Sequence, residues 1–313
     1  MLWRVAQGVA VLATAAVITG LFVIPDTTLV VLWSVIIPIV PASLLVTPRA
    51  WRNVCPLATL NMLTAGRMNR RPQTPGFATS ANVLGIVLLV ALVPARHFLF
   101  NTNGPVLGIT VIAVAVAALV AGVVYDAKAG FCNAFCPILP VERLYGQSPL
   151  LEIGNPRCTP CTACARACVD VSPQRNIRQL LGRPEHGSRW LLTPFGMLAA
   201  AFPGFVVGYF TVPDGPLSSA GAVYLNVVFW AAASFALVAL ISILARSSSD
   251  VVLRSIAAVA AGLYYWFAAP AITSALGGSA AVAVALRVIA LGLVLAWWWR
   301  ASINGKNRVA AHA

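Results

Sequence analysis

Long apolar runs, separated by short segments rich in proline, glycine and charge, dominate the pattern of this chain. Eight runs, near residues 5–24, 28–47, 77–95, 105–125, 190–210, 220–245, 252–272 and 279–299, approach the roughly 20 helical residues that cross about 30 Å of hydrocarbon. None alternates as a barrel strand does, and in lipid only helices and closed barrels satisfy the backbone. The pattern predicts an all-α polytopic membrane protein of about eight transmembrane helices. The first run follows Arg4 and imitates a signal peptide; no small-x-small cleavage site follows it, so it is read as a helix.

Composition removes the competing classes. Hydrophobic residues make up 60% of the 313 and charged residues only 9%, against about 25% charged in soluble domains. Ordinary soluble enzymes, disordered chains and small disulfide scaffolds are excluded. Lys and Arg number 21 against 8 acids, a net +13. Nucleic-acid binding would need a soluble basic surface that this chain lacks. All the bases except Arg96 and Arg287 fall on one set of segments: the N-terminus, 48–76, 126–189, the edge near 246–254, and the tail. The positive-inside rule then predicts a bacterial inner-membrane protein with both termini and the segment 126–189 in the cytoplasm.

Chemistry is concentrated on that same side. The seven cysteines are Cys55, Cys132, Cys136, Cys158, Cys161, Cys164 and Cys168, and none falls inside a predicted helix. An odd count in a reducing compartment argues against disulfides. The run Cys158-Thr-Pro-Cys161-Thr-Ala-Cys164-Ala-Arg-Ala-Cys168 has the C-x2-C-x2-C-x3-C spacing of bacterial ferredoxins. Three thiolates three residues apart wrap one corner of a cubane, and small intervening residues let backbone N–H groups approach its sulfurs. Zinc sites instead pair two C-x2-C knuckles across a longer gap. The run therefore predicts a 4Fe–4S cluster held by Cys158, Cys161, Cys164 and Cys168.

A second element repeats. Trp51-Arg-Asn-Val-Cys55-Pro56-Leu57 aligns with Cys132-Asn-Ala-Phe-Cys136-Pro137-Ile138, 81 residues later (136 − 55). Each copy follows a pair of apolar runs, so the unit is helix, helix, Cys-Pro. A thiolate followed by proline suits a ligand because the rigid ring turns the chain away from it.

These elements together resemble the membrane-bound polyferredoxin family. That family includes the quinol-oxidising membrane subunit of periplasmic nitrate reductase systems, the nitrous-oxide reductase regulatory protein and the iron–sulfur accessory protein of cytochrome oxidase assembly. The resemblance covers roughly residues 28–172. It implies iron–sulfur electron transfer with quinone or with redox partner proteins in a larger complex. Trp51 stands where the family pattern has a cysteine, and one ferredoxin run stands where it has two. Seven cysteines cannot supply the eight ligands of two all-cysteine cubanes. A second centre, drawing on Cys55, Cys132 and Cys136, would need a non-cysteine ligand, an open iron or a partner's side chain.

The expected organisation is thus a four-helix membrane half at 1–125 with the first Cys-Pro element, a cytoplasmic ferredoxin-like iron–sulfur insert at 126–189, and a second four-helix half at 190–313. The histidines, His97, His186 and His312, all fall in predicted loops or the tail, so no transmembrane haem b is expected. His97 is read as a solvated loop residue. Arg287 is the one charge inside a predicted helix and must be satisfied by carbonyls, a cofactor or another subunit. Trp297, Trp298 and Trp299 read as an interfacial anchor. Two rivals accompany the electron-transfer reading. One is a copper-reducing assembly factor for an oxidase; the other is a transporter or scaffold carrying a regulatory cluster.

Overall fold

The computed structural model describes residues 2–64, 71–153, 163–182, 188–244 and 248–310. It is 78% helix, with no strands among the described residues. Among the described residues, seven helical stretches are long and apolar enough to cross a membrane: Trp3–Val23, Pro25–Val46, Pro75–His97, Gly104–Val124, Leu217–Leu244, Ser249–Ala275 and Ala280–Ile303.

The first span is α1 (Leu2–Val23). The second is composite: α2 (Pro25–Val31), a π turn at Leu32–Ile36, and α3 (Ile37–Val46). The π turn lies directly ahead of Pro38 and Pro41, which have no N–H to give to the helical ladder. Two short helices follow, α4 (Pro48–Val54) and α5 (Pro56–Thr64). Cys55 is the break between them. Proline at 56 disfavours helical geometry one residue earlier, and Cys55 sits at ψ 125° accordingly.

The third and fourth spans are α6 (Pro75–Leu92), extended through a 3-10 turn at Pro94–His97, and α7 (Gly104–Val124). Thr74 and Asn103 cap them by accepting from the backbone N–H groups of Phe77 and Val106. A series of turns then leads to α8 (Leu139–Tyr145) and α9 (Pro173–Leu180).

The run predicted at 190–210 departs from expectation. Arg189–Leu192 is a separate 3-10 turn, and α10 (Pro194–Phe210) has only 17 residues, about 25 Å at 1.5 Å per residue. Its surroundings explain the length. α10 is buried along most of its surface, against α11 (Ala220–Leu244) and α12 (Ser249–Ala275). A helix wrapped by protein need not match the thickness of lipid. The close α10–α11 crossing depends on Gly204, where a β-carbon would overlap the backbone carbonyl of Trp230. The last helix, α13 (Ala280–Ala310), packs along α12.

The helix–helix–Cys-Pro repeat is also visible in the packing. α5 lies against α1 and α7, and α8 lies against α6 and α3. Each short helix therefore touches the first helix of its own hairpin and the second helix of the other, the arrangement of a pseudo-two-fold. Arg52 and Asn133, equivalent across the repeat, touch directly: Arg52 Nη2 donates to Asn133 Oδ1 at 2.5 Å, 81 residues away. Equivalent positions in mutual contact lie at the pseudo-symmetry axis.

Two sets of loops gather at opposite ends. At one end Gly215 donates to the His97 carbonyl. At the other, Gln73 N donates to the Ala163 carbonyl, Leu150 and Leu151 donate to Leu45 and Val46, and Arg178 pairs with Asp250. This is the grouping that the charge pattern predicts.

Candidate functional site

Cys158 and Cys161 lie outside the described residues. None of the five described cysteines is in a disulfide. Cys55, Cys132 and Cys136 come together in one apolar cluster with Ala58, Ala118 and Phe131, beneath the α5–α7 contact. The turn that presents Cys132 and Cys136 is tight: Ala127 has a positive φ of 45°, and a β-carbon at Gly130 would overlap the Ala121 carbonyl. The fully buried Asn61 stands beside Cys132, with 4.0 Å between its Oδ1 and the sulfur. Asn61 also anchors to the Ala118 carbonyl through Nδ2 at 3.0 Å.

Burial pushes all three thiols upward, Cys132 to about 12, even though the Arg52 charge pulls it the other way. They carry protons at neutral pH in the metal-free chain. A metal would have to displace those protons to bind.

Cys164 and Cys168 occupy a loop whose backbone is held from two sides. Gln73 Oε1 accepts from Ala165 N at 3.2 Å, and its own N–H donates to Ala163 O at 2.8 Å. On the α9 side, Gln179 Oε1 accepts from Ala167 N at 2.9 Å and Asn176 Nδ2 donates to Ala167 O at 2.6 Å. Asn133 Nδ2 donates to Cys164 Sγ at 3.2 Å. A water-sized cavity of about 10 Å³ lies among Asn133, Arg143, Cys164 and Cys168. Among the described residues, no three His, Cys, Asp or Glu side chains converge as a metal site.

Between the two cysteine groups lies a buried charge network that the sequence reading did not single out. Arg52, only 3% exposed, donates through Nη1 to Glu142, through Nε to Asp170 Oδ1 at 2.6 Å, and through Nη2 to Asn133. The two carboxylates overcome the downward pull of burial and hold the guanidinium well above its ordinary value; its field also reaches Cys132 and Cys168. Lys128 Nζ, buried, makes no hydrogen bond among the described residues and is 3.6 Å from Asp170 Oδ2. Arg143, buried, donates to Asn82 through Nη1, while its Nε has no hydrogen-bond partner among the described residues; burial lowers it to about 9. Among the described residues, three buried cations thus face two buried carboxylates. The signal for this network was present in the repeat: shifting Asn61 by 81 gives Glu142, and shifting Arg52 gives Asn133. Beside it opens a cleft of about 360 Å³ lined by Arg49, Arg52, Glu142, Asp170 and Arg175.

One other expectation changes. His97 is not a solvated loop residue. It ends the third span, is 6% exposed, and bonds through Nδ1 to Asp214 Oδ1 at 2.6 Å while packing on the Tyr209 ring. Arg96 beside it stacks over Trp33 and donates to Tyr209 Oη at 2.6 Å. Partners arriving from α2–α3 and from the 211–216 loop bury these groups, which local sequence cannot show. For Arg287, the first of the expected alternatives is the one seen: Nε donates to the Trp266 backbone carbonyl at 2.9 Å, and the guanidinium lies 4.5 Å from the Trp266 ring. Comparison with protein-family models, with curated proteins and with solved structures gives no match to this chain.

Proposed function

We propose that this chain is a membrane-bound iron–sulfur electron-transfer protein, exchanging electrons between a 4Fe–4S cluster on the cytoplasmic face and quinone or partner redox proteins. The observation that carries the reading is the buried charge imbalance beside the cysteines. Burying net positive charge is costly unless an anion compensates it. Thiolate-ligated iron–sulfur clusters are anions, so Lys128, Arg143 and the Asn133 N–H···S contact to Cys164 suit such a group. Cys158, Cys161, Cys164 and Cys168 would hold the first cluster; Cys55, Cys132 and Cys136, with Asn61 adjacent, would serve a second centre. When bound, the cluster supplies one-electron redox chemistry, and the protein's part is placement and potential. Arg52, Glu142 and Asp170 fix the turn that carries Cys132 and Cys136 against the loop that carries Cys164 and Cys168. The apolar cluster keeps water away from the Cys132 thiol.

Anaerobically purified protein is expected to contain iron and acid-labile sulfide and to give a cubane EPR signal on reduction. Cys158→Ser, Cys161→Ser and Cys164→Ser should each abolish that signal. Protein free of iron and sulfide after anaerobic reconstitution would end this reading. If the altered signals track only the ferredoxin run, with Cys55→Ser, Cys132→Ser and Cys136→Ser all silent, the second centre is lost and the first stands.

Orientation has its own check. Reporters placed after Ala313 and near Gln174 should report cytoplasm, and one near Ser218 the outside. A reporter near Gln174 reading outside would move the cysteine end across the membrane.

A further inference from the structure

We propose that Trp33, Arg96 and His97 form a binding site for the phenolic head group of a membrane-borne molecule, at the end of the bundle opposite the cysteines. The site goes beyond the iron–sulfur reading and does not depend on it. Three orphaned nitrogens mark it. Trp33 Nε1, Arg96 Nε and His97 Nε2 are all buried without a hydrogen-bond partner among the described residues. An orphaned polar atom away from water is costly, and three in one place call for a ligand. They belong to one cluster. The Arg96 guanidinium lies 4.8 Å from the Trp33 ring and 5.8 Å from the Tyr209 ring, and the His97 ring lies 4.6 Å from Tyr209. Trp33 stands in the π turn Leu32–Ile36, a local departure from α-helix that recurs at functional sites. His97 is fastened from the loop side: Gly215 N donates to its carbonyl at 2.9 Å, and its partner Asp214 is itself held by Asn101 Nδ2.

The donor pattern selects the ligand. With its proton on Nδ1, the His97 ring donates to Asp214 Oδ1 at 2.6 Å, which leaves Nε2 as an acceptor. Arg96 Nε and Trp33 Nε1 can only donate. A hydroxyl group meets both needs: its proton goes to Nε2, and its oxygen accepts from the N–H groups. An anion has no proton for Nε2, and the Asp214 carboxylate beside the ring would repel it. Charge agrees, because Arg96 and Asp214 offset one another and a neutral ligand leaves neither uncompensated. The approach is from the lipid side. Trp33 is only half-buried, and Val30, Val31, Ile36 and Ile37 on the same span are exposed. The rings of Trp33 and Tyr209 favour an aromatic head group over a glycerol hydroxyl.

The test is equilibrium binding of tritiated heptylnaphthol, a membrane-soluble phenol, to full-length protein in phosphatidylcholine vesicles at neutral pH, with protein-free vesicles as the blank. Wild type is expected to bind it saturably. The methyl ether of the probe has no proton to give and should bind at least tenfold more weakly. H97N keeps an amide N–H for Asp214 and removes the acceptor nitrogen. It should weaken naphthol binding at least tenfold and leave the ether unmoved. W33F keeps a ring, loses the N–H, and should weaken naphthol binding severalfold. Thermal midpoints near wild type identify folded variants; where H97N fails to accumulate, W33F and the ether comparison decide. Naphthol that does not saturate, naphthol and ether binding equally, or naphthol binding unmoved in folded variants overturns the site. Displacement of the naphthol by phosphatidylglycerol mixed into the vesicles also overturns it, since these groups would then answer to an anionic lipid headgroup. Iron does not enter the assay, so failure here leaves the iron–sulfur reading standing, and iron-free protein leaves this site standing.

Discussion

A Gly204→Ala variant is expected to lose about 3 kcal/mol of stability, the upper end of the usual cost of overpacking. The cause is local and strict. The added methyl would overlap the Trp230 carbonyl, a backbone atom with no rotamer into which to retreat, and would press on Ser234 as well. α10 and α11 must then separate, although Ser234 Oγ donates across their interface to the Ala200 carbonyl at 2.8 Å. Asn226 Nδ2 does the same to the Gly208 carbonyl at 2.9 Å. These bridges lengthen together, so the loss exceeds one contact. Gly221→Ala is the control. It lies near the start of α11 with nothing within 4 Å of its β-position, and alanine there should be neutral or stabilising by up to about 1 kcal/mol. Thermal unfolding of both variants in detergent measures the difference. Equal midpoints would mean that α10 and α11 do not cross as closely as described.

Much of the fold was legible in the chain because hydrophobic length alone reports a membrane span. Seven of the eight runs correspond to helices long enough to cross. The remaining one, Pro194–Phe210, is short because protein rather than lipid surrounds it, and composition does not distinguish those two apolar environments. The π turn at Leu32–Ile36 and the 3-10 turns at Pro94–His97 and Arg189–Leu192 were also invisible as such; prolines mark where helices are disturbed without saying how the chain recovers.

The candidate site divides differently. Cysteine spacing is a local property, so the ferredoxin run and the repeated Cys-Pro element stand out in the sequence. The network that joins them is non-local: Arg52 reaches Glu142 across 90 residues and Asp170 across 118. Charged residues in basic loops read as topology signals, and nothing nearby distinguishes the half-buried Arg49 from the buried Arg52. Arg49 itself donates to the Asp170 and Ile153 carbonyls, which fastens the same loop from outside. His97 was misread for the same reason, since its partner Asp214 is 117 residues away.

Asp170→Asn should be the more damaging of two aspartate substitutions on this face. The side chain keeps its shape and can still accept from Arg52, so the loss is charge and not volume. Without Asp170, the buried cations Arg52, Lys128 and Arg143 face Glu142 alone. Removing one partner from a buried ion pair costs about 3–5 kcal/mol because the remaining charge is left uncompensated. Lys128 loses the only ion-pair partner it has among the described residues. Asp250→Asn supplies the contrast. Its pair with Arg178, itself 59% exposed, is worth about 0–1 kcal/mol in solvent. Unfolding midpoints of the two variants in metal-free protein should therefore differ clearly, with Asp170→Asn the lower. Cluster loading adds a second prediction. An anionic cluster beside these cations would supply part of the missing negative charge, so the Asp170→Asn deficit should shrink after anaerobic reconstitution while the Asp250→Asn midpoint holds steady. A deficit that stays the same size in loaded and metal-free protein would show that the buried cations do not answer to an anion at the cysteines.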